Sequence, residues 1–286
     1  MRVLRGAKAL ITGAANGIGR AIALRLAQEG TDLFLVDVDI RGLSNVVTEA
    51  SQRGDVSVIG HQCDISSPSQ ISQANLAMLD RWGELDILVN NAGVCFYGAT
   101  LEMTDDQWQQ LLAINLMAPV QFVRELAPVL LSRPESHILN VASMYGFIAT
   151  NRCSAYHLSK FGIVGFSEAL RAEYARRSLG VTALCPGFVS TDLFRSMPNV
   201  DSGRTRRTPP RWVCTTPERV ADKAVRAIRR NSRIALVTPL AYAAYYTRRF
   251  APGLLDTLYH VGRRSSHRIK VSEKTPLPLE SRQRIA

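Results

Sequence analysis

Several things are scarce in this 286-residue sequence, and each scarcity excludes something. Cysteines are few and odd in number: Cys63, Cys95, Cys153, Cys185 and Cys214. Their spacing matches no metal motif, and any set of disulfides would leave one over, so reduced, partly buried thiols in a cytoplasmic protein are expected. No run of about 18 uninterrupted apolar residues occurs, so no membrane-spanning helix is expected. The first apolar run is short and leads straight into Thr12-Gly13, which does not read as a signal peptide. No repeat period is evident. Acidic residues become rare late in the chain. Residues 1–203 carry 16 Lys/Arg against 19 Asp/Glu, and residues 204–286 carry 19 against 5. The net charge of +11 therefore belongs to the C-terminal region. No helix-turn-helix, zinc or aromatic RNA-binding signature accompanies those bases, so nucleic acid is not expected as a partner.

What is present is an alternation of short apolar runs with longer amphipathic ones. Strands are expected at 7–12, 32–37, 56–61, 85–90, 137–142 and 181–185, with a seventh at 233–237. Helices are expected at 18–29, 44–53, 68–82, 105–131, 154–177 and 217–230. Continuous apolar strands between amphipathic helices call for a parallel sheet covered on both faces, a doubly wound α/β fold that binds ligands at the carboxyl ends of its strands. Residues 1–238 then form one catalytic domain. Irregular, proline-bearing residues 188–215 form a lid, residues 239–269 a basic and aromatic helical extension, and the polar residues 270–286 a disordered tail.

The turn Thr12-Gly13-Ala14-Ala15-Asn16-Gly17-Ile18-Gly19 joins the first strand to the first helix. Glycines there let the backbone approach a pyrophosphate resting at a positive helix N-terminus. By itself such a turn is equally an ordinary strand-to-helix connection. Asp37, ending the second strand about 20 residues on, can bond a ribose hydroxyl and repel the extra phosphate of NADP. No base lies among residues 14–16, although Arg41 follows. NAD(H) is therefore favoured over NADP(H).

Together with Asn90-Asn91-Ala92-Gly93, Asn115, Ser143 and Tyr156-x-x-x-Lys160, that turn resembles the short-chain dehydrogenase/reductase family over about residues 6–238. The resemblance implies a Rossmann fold with seven parallel strands and hydride transfer between a nicotinamide and an alcohol or ketone carbon. It implies cofactor contacts from Asp64 and Ile65, from Asn91, Ala92 and Gly93, and from the loop Pro186, Gly187, Val189 and Thr191. Tyr156 is the implied proton-transfer residue. Lys160 would favour its phenolate and bond the nicotinamide ribose, Ser143 would hold the substrate oxygen, and Asn115 would kink its helix and hold a relay water. Pairing into a homodimer or homotetramer through residues 105–131 and 154–177 is implied as well.

Phe188, Leu193, Phe194, Met197 and Trp212 would give the lid an apolar lining for a lipophilic substrate such as a steroid, a retinoid-like alcohol or a fatty chain; plain packing of the lid is the alternative. An NADP(H)-dependent 3-ketoacyl reductase and a non-catalytic dinucleotide-binding regulator stay open. Residues 234–261 mix tyrosines, leucines and arginines, and two readings stay open there. One is contact with a membrane interface; the other is a helical pair packed on this subunit or a neighbour.

Overall fold

The computed structural model describes residue 1, residues 3–191 and residues 209–261. Seven strands form one parallel sheet: β1 (Lys8–Thr12), β2 (Asp32–Asp37), β3 (Val58–Gln62), β4 (Ile87–Asn90), β5 (Ser136–Val141), β6 (Leu179–Cys185) and β7 (Ile234–Leu236). Their order is β3-β2-β1-β4-β5-β6-β7. The sequence reverses direction across the sheet between β1 and β4, and a parallel sheet places its ligand crevice at such a switch point. The expected fold class is the observed one.

Alternation along the strands divides the core in two. Ala9, Ile11, Leu33, Leu35, Ile87, Val89 and Leu139 face one side, which α1 (Gly17–Gln28), α2 (Ile40–Ser51) and α7 (Pro217–Arg230) cover. Leu10, Phe34, Val36, Leu88 and Ile138 face the other, under α3 (Pro68–Trp82), α5 (Ala118–Leu131) and α6 (Ser154–Glu173). Period-two side chains on strands buried from both sides produce this division. The helical run Asp105–Leu131 is long and apolar enough to cross a membrane. Here its apolar face, with Phe122, Val123, Leu126 and Leu130, is part of the core.

Local bounds differ from the expected ones where side chains intervene. β3 starts at Val58, and just ahead of it the Ser57 amide donates to the Asp32 carboxylate at 2.8 Å. α6 ends at Glu173 rather than 177. The expected helix 105–131 is three pieces: α4 (Asp105–Leu112), a π-turn (Ala113–Met117) and α5. Past β7, α8 (Pro239–Phe250) and α9 (Pro252–Val261) are the two short helices that Pro239 and Pro252 delimit. Ala241 and Ala244 of α8 are buried with Leu236, and Tyr245 meets Phe147 edge-on at 5.0 Å. The inner face of the extension therefore packs on its own subunit. Leu193, Phe194 and Met197 of the lid, Arg263 and Arg264, and the tail 270–286 lie outside the described residues.

Candidate active site

A cavity of about 530 Å³ opens at the carboxyl ends of β1, β2, β4, β5 and β6. Gly13 and Gly17 line its floor with φ of +65° and +54°. A Cβ on Gly13 would lie 2.7 Å from the Ala92 Cα, and one on Gly19 would lie 2.0 Å from the Gly13 carbonyl oxygen. Gly13 thus keeps the floor low, whereas Gly19 packs the turn and does not line the cavity. Asn16, the N-cap of α1, makes no side-chain capping bond, and no acid occupies the first turn. The leading N–H groups of α1 stay available to an anion. Half-buried Asp37 closes this end. Its oxygens accept from the Ala15 amide at 2.9 Å and the Asp39 amide at 3.0 Å. Both bonds aim the carboxylate without saturating its acceptor capacity.

Thr12 and Asn91 lock the glycine turn to the end of β4. Thr12 Oγ1 accepts from the amides of Asn91 and Ala92, both at 3.1 Å, and Asn91 Nδ2 donates to the carbonyls of Thr12 and Gly13, both at 3.0 Å. Deeper down, Asn90 Nδ2 donates to Asn140 Oδ1 at 2.8 Å, and Asn140 Nδ2 to Ser167 Oγ at 2.9 Å, tying β4, β5 and α6 together.

Ser143, Tyr156 and Lys160 line the opposite end, and all three are buried. Ser143 follows β5, and its Oγ accepts from the Tyr145 amide at 3.1 Å. Tyr156 and Lys160 stand one turn apart on α6, with Lys160 Nζ 5.5 Å from the Tyr156 ring centroid. Lys160 Nζ donates to the Val141 carbonyl at 2.9 Å. Burial pushes the Tyr156 phenol well above its ordinary range, although a hydrogen bond with Ser143 pulls the other way. Burial likewise brings Lys160 down to about 8. The apolar shell that desolvates Tyr156 contains Cys95, Phe96 and Met103.

Asn115 does not line the cavity but supports it from the π-turn. Its Oδ1 accepts from the Val94 amide at 2.8 Å, and its Nδ2 donates to the Val94 carbonyl at 2.8 Å and to Ser159 Oγ at 3.2 Å. A Cβ on Gly93 would lie 3.3 Å from Asn115 Oδ1 and 3.7 Å from Lys160 Nζ. Asn115 and Lys160 therefore converge beneath Gly93.

The cavity brings together Asn16, Ile18, Asp64, Ile65, Asn91, Ala92, Pro186, Gly187, Val189 and Thr191 as expected. Phe188 stands apart: it packs edge-on against Tyr145 at 6.2 Å within the apolar cluster under α8. Trp212 lies in a separate groove and not over this cavity. Val38, Val94, Ile114, Val141 and Ala142 also line the cavity and carried no motif. The available signal was position alone, since Val38 directly follows Asp37 and Val141 and Ala142 precede Ser143 at strand ends.

The other titratable candidates are structural. His157 Nε2 accepts from the Thr150 amide at 2.9 Å, which leaves Nδ1 to donate to the Tyr145 carbonyl at 3.2 Å. His61 stacks on Phe34 at 5.6 Å. Among the described residues no cluster of His, Cys, Asp or Glu could hold a metal. Burial raises the Cys63 thiol to about 11 and Cys185 to about 12, so neither is an activated nucleophile.

The elements fit a dinucleotide: a glycine floor that a Cβ would fill, free helix N–H groups and a carboxylate at the far strand end. Comparison with known proteins agrees. The short chain dehydrogenase family profile matches residues 7–201. A D-beta-hydroxybutyrate dehydrogenase of Rhizobium meliloti is 35% identical over 200 residues, covering 69% of this chain and 77% of that protein. A short-chain dehydrogenase/reductase from Burkholderia phymatum, solved with NAD, is 29% identical with a TM-score of 0.78, covering 89% of this chain and 96% of its own. A variant actinorhodin polyketide ketoreductase, solved with NADPH, is 30% identical with a TM-score of 0.75, covering 83% and 98%. By fold, cavity and matched sequence, the chain belongs to the short-chain dehydrogenase family of oxidoreductases, which act on alcohol and ketone groups with a nicotinamide cofactor.

Proposed function

We propose that the protein transfers hydride between NAD(H) and an alcohol or ketone carbon of a lipophilic substrate. The observation that carries this reading is one cavity with the Asp37 carboxylate at one end and Ser143, Tyr156 and Lys160 at the other. When bound, the nicotinamide supplies or accepts the hydride. The chain does the rest. Asp37 receives ribose hydroxyls and repels a phosphate there. Ser143 Oγ donates to the substrate oxygen and stabilises charge on it. Tyr156 gives its hydroxyl proton to that oxygen in reduction; in oxidation it takes the substrate hydroxyl proton as a phenolate, which the ammonium of Lys160 favours. Lys160 is anchored through Val141 and holds the nicotinamide ribose. Asn115 is a positioning residue that clamps Val94 beside the cavity. The apolar cluster around Tyr156, with Cys95, Phe96 and Met103, supports a lipophilic substrate.

A second reading, an NADP(H)-dependent 3-ketoacyl reductase, is favoured by the likeness to a ketoreductase solved with NADPH. A non-catalytic dinucleotide-binding regulator is the third. Steady-state kinetics with sterols, retinoid-like alcohols, medium-chain alcohols and 3-ketoacyl thioesters, each with NAD(H) and NADP(H), separates them. Turnover of a hydrophobic alcohol or ketone with NAD(H) is the expected result. NADPH-preferring reduction of the thioester would install the second reading, and tight NADH binding without turnover the third. Two copies pair through α4–α5 and α6 in this proposal, a reading supported by the exposed apolar side chains of Met117, Leu158 and Phe161 there.

A further inference from the structure

Beside α7 and away from the dinucleotide cavity lies a second groove of about 500 Å³. Arg219, Lys223 and Arg226 of α7 line it at helical spacing, together with Trp212, Tyr242 and the α8 N-terminal residues Thr238 and Pro239. Its acid, Asp222, is engaged by Arg25 at 3.0 Å. The positive end of the α8 dipole adds to the three cations. Lys223 Nζ donates to the Tyr242 hydroxyl at 3.3 Å, which joins the basic wall to α8.

From Tyr242 an aromatic stripe continues outward. Tyr242, Tyr246 and Phe250 recur every four residues on the face of α8 opposite its buried Ala241 and Ala244. Tyr246 stacks on Phe250 at 6.1 Å, and Phe250 is 74% exposed. Leu254 of α9 is exposed at the end of this stripe, and Trp212 at the groove rim is 87% exposed. Arg248 and Arg249 immediately precede Phe250. An amphipathic helix that buries its small residues and turns its aromatics outward is incomplete in water.

We propose that this α7–α8 face docks on the surface of an anionic phospholipid bilayer, with phosphates in the Arg219–Lys223–Arg226 groove and Trp212, Tyr246, Phe250 and Leu254 at the level of the acyl boundary. Charge decides in favour of this occupant. In a two-fold pairing of this face, each copy would bring its groove cations toward the partner's, which repel. A bilayer of anionic lipid offers phosphates to the cations and an apolar layer to the rings together, and tyrosine hydroxyls suit the headgroup level. The proposal is independent of which carbonyl the enzyme reduces.

The test is flotation of the full-length protein with vesicles of phosphatidylcholine alone and of phosphatidylcholine with phosphatidylserine. Binding to the anionic vesicles, weakened by added salt, is expected. The triple variant Arg219→Glu, Lys223→Glu, Arg226→Glu should partition on the order of 100-fold more weakly, at about fivefold per cation removed. Tyr246→Ser with Phe250→Ser should weaken binding on the order of tenfold while keeping its salt dependence. NADH binding, followed by fluorescence, should be unchanged in all of them and shows that each variant is folded. Failure of the wild type to float overturns the proposal. So does equal flotation of wild type and variants. A fall in oligomeric mass confined to the Tyr246/Phe250 variant, without vesicle binding by the wild type, would assign the face to a second copy instead.

Discussion

Tyr156 is a buried phenol with Lys160 one helical turn away. Burial raises the phenol and pulls Lys160 down to about 8, and Lys160 Nζ donates to the Val141 carbonyl. Beside Ser143, its hydroxyl can give a proton to a carbonyl oxygen. Tyr156→Phe should therefore lower turnover by about 10²–10⁴-fold, read at the nicotinamide absorbance band, with NADH affinity retained. Full activity in that variant would remove Tyr156 from the chemistry. At the other end, Asp37 presents a carboxylate where an added phosphate would bring like charge. Asp37→Ser should shift the ratio of kcat/KM for NADPH over NADH upward by about tenfold, the size of a like-charge repulsion largely screened by water. An unchanged ratio would assign cofactor choice elsewhere. Asp37 was legible from its place at the end of the second strand, and Tyr156 from the set of motifs that carries the family resemblance. The direction in which burial drives Tyr156 was not, because desolvation depends on Cys95, Phe96 and Met103, which arrive from distant segments.

Among the elements, the π-turn between α4 and α5 is the one the hydrophobic pattern could not show. Periodicity from Asp105 to Leu131 reads as one helix. The extra residue in the turn puts Asn115 beside Val94, where it bonds both backbone groups. Asn115→Ala leaves the half-buried Val94 amide and carbonyl without these bonds. It should cost about 2 kcal/mol, measured by urea unfolding, and lower kcat through the displaced Gly93–Val94 segment. A variant as stable as the wild type would mean that the turn holds itself. The glycine turn before α1 was legible because its constraint is local: a positive φ at Gly13 and Gly17 is written in the residue type. The orientation of Phe188 was not local. Its ring packs on Tyr145, within the cluster beneath α8, and does not line the cavity.

Across the whole molecule, His137 connects sheet stability to pH. It is fully buried in β5, with Nε2 2.9 Å from Thr182 Oγ1, and the Thr182 hydroxyl donates to the Ser232 carbonyl. Nε2 therefore carries the proton, and Nδ1 has no partner. Burial lowers this imidazole from 6.5 to about 3, so the folded protein holds it neutral while the unfolded chain protonates it. Its stabilising contribution is complete above pH 6.5 and is lost as pH falls toward 3, on the order of 5 kcal/mol in all. Unfolding midpoints in urea should drop steeply over that window, and His137→Gln should flatten the slope. An equal slope in both proteins would place the acid sensitivity elsewhere. Pairing belongs to this scale too. Phe161→Glu on the exposed face of α6 should reduce the mass measured by sedimentation equilibrium to that of one chain, and an unchanged mass would move the interface to another face.

The sequence by itself determined the order of strands and helices, the glycine floor, the Asp37 acceptor and the Tyr156–Lys160 spacing. All of these depend on local periodicity, on backbone freedom, or on residues a few positions apart. Only the tertiary structure decided which way Tyr156 and Lys160 titrate, that Phe188 and Trp212 leave the cavity, that apolar Val94 and Ile114 enter it, and that α8 turns its aromatics outward. Each of those depends on what lies across the fold. Burial, charge and packing act between segments that one parallel sheet brings together and that the sequence keeps far apart.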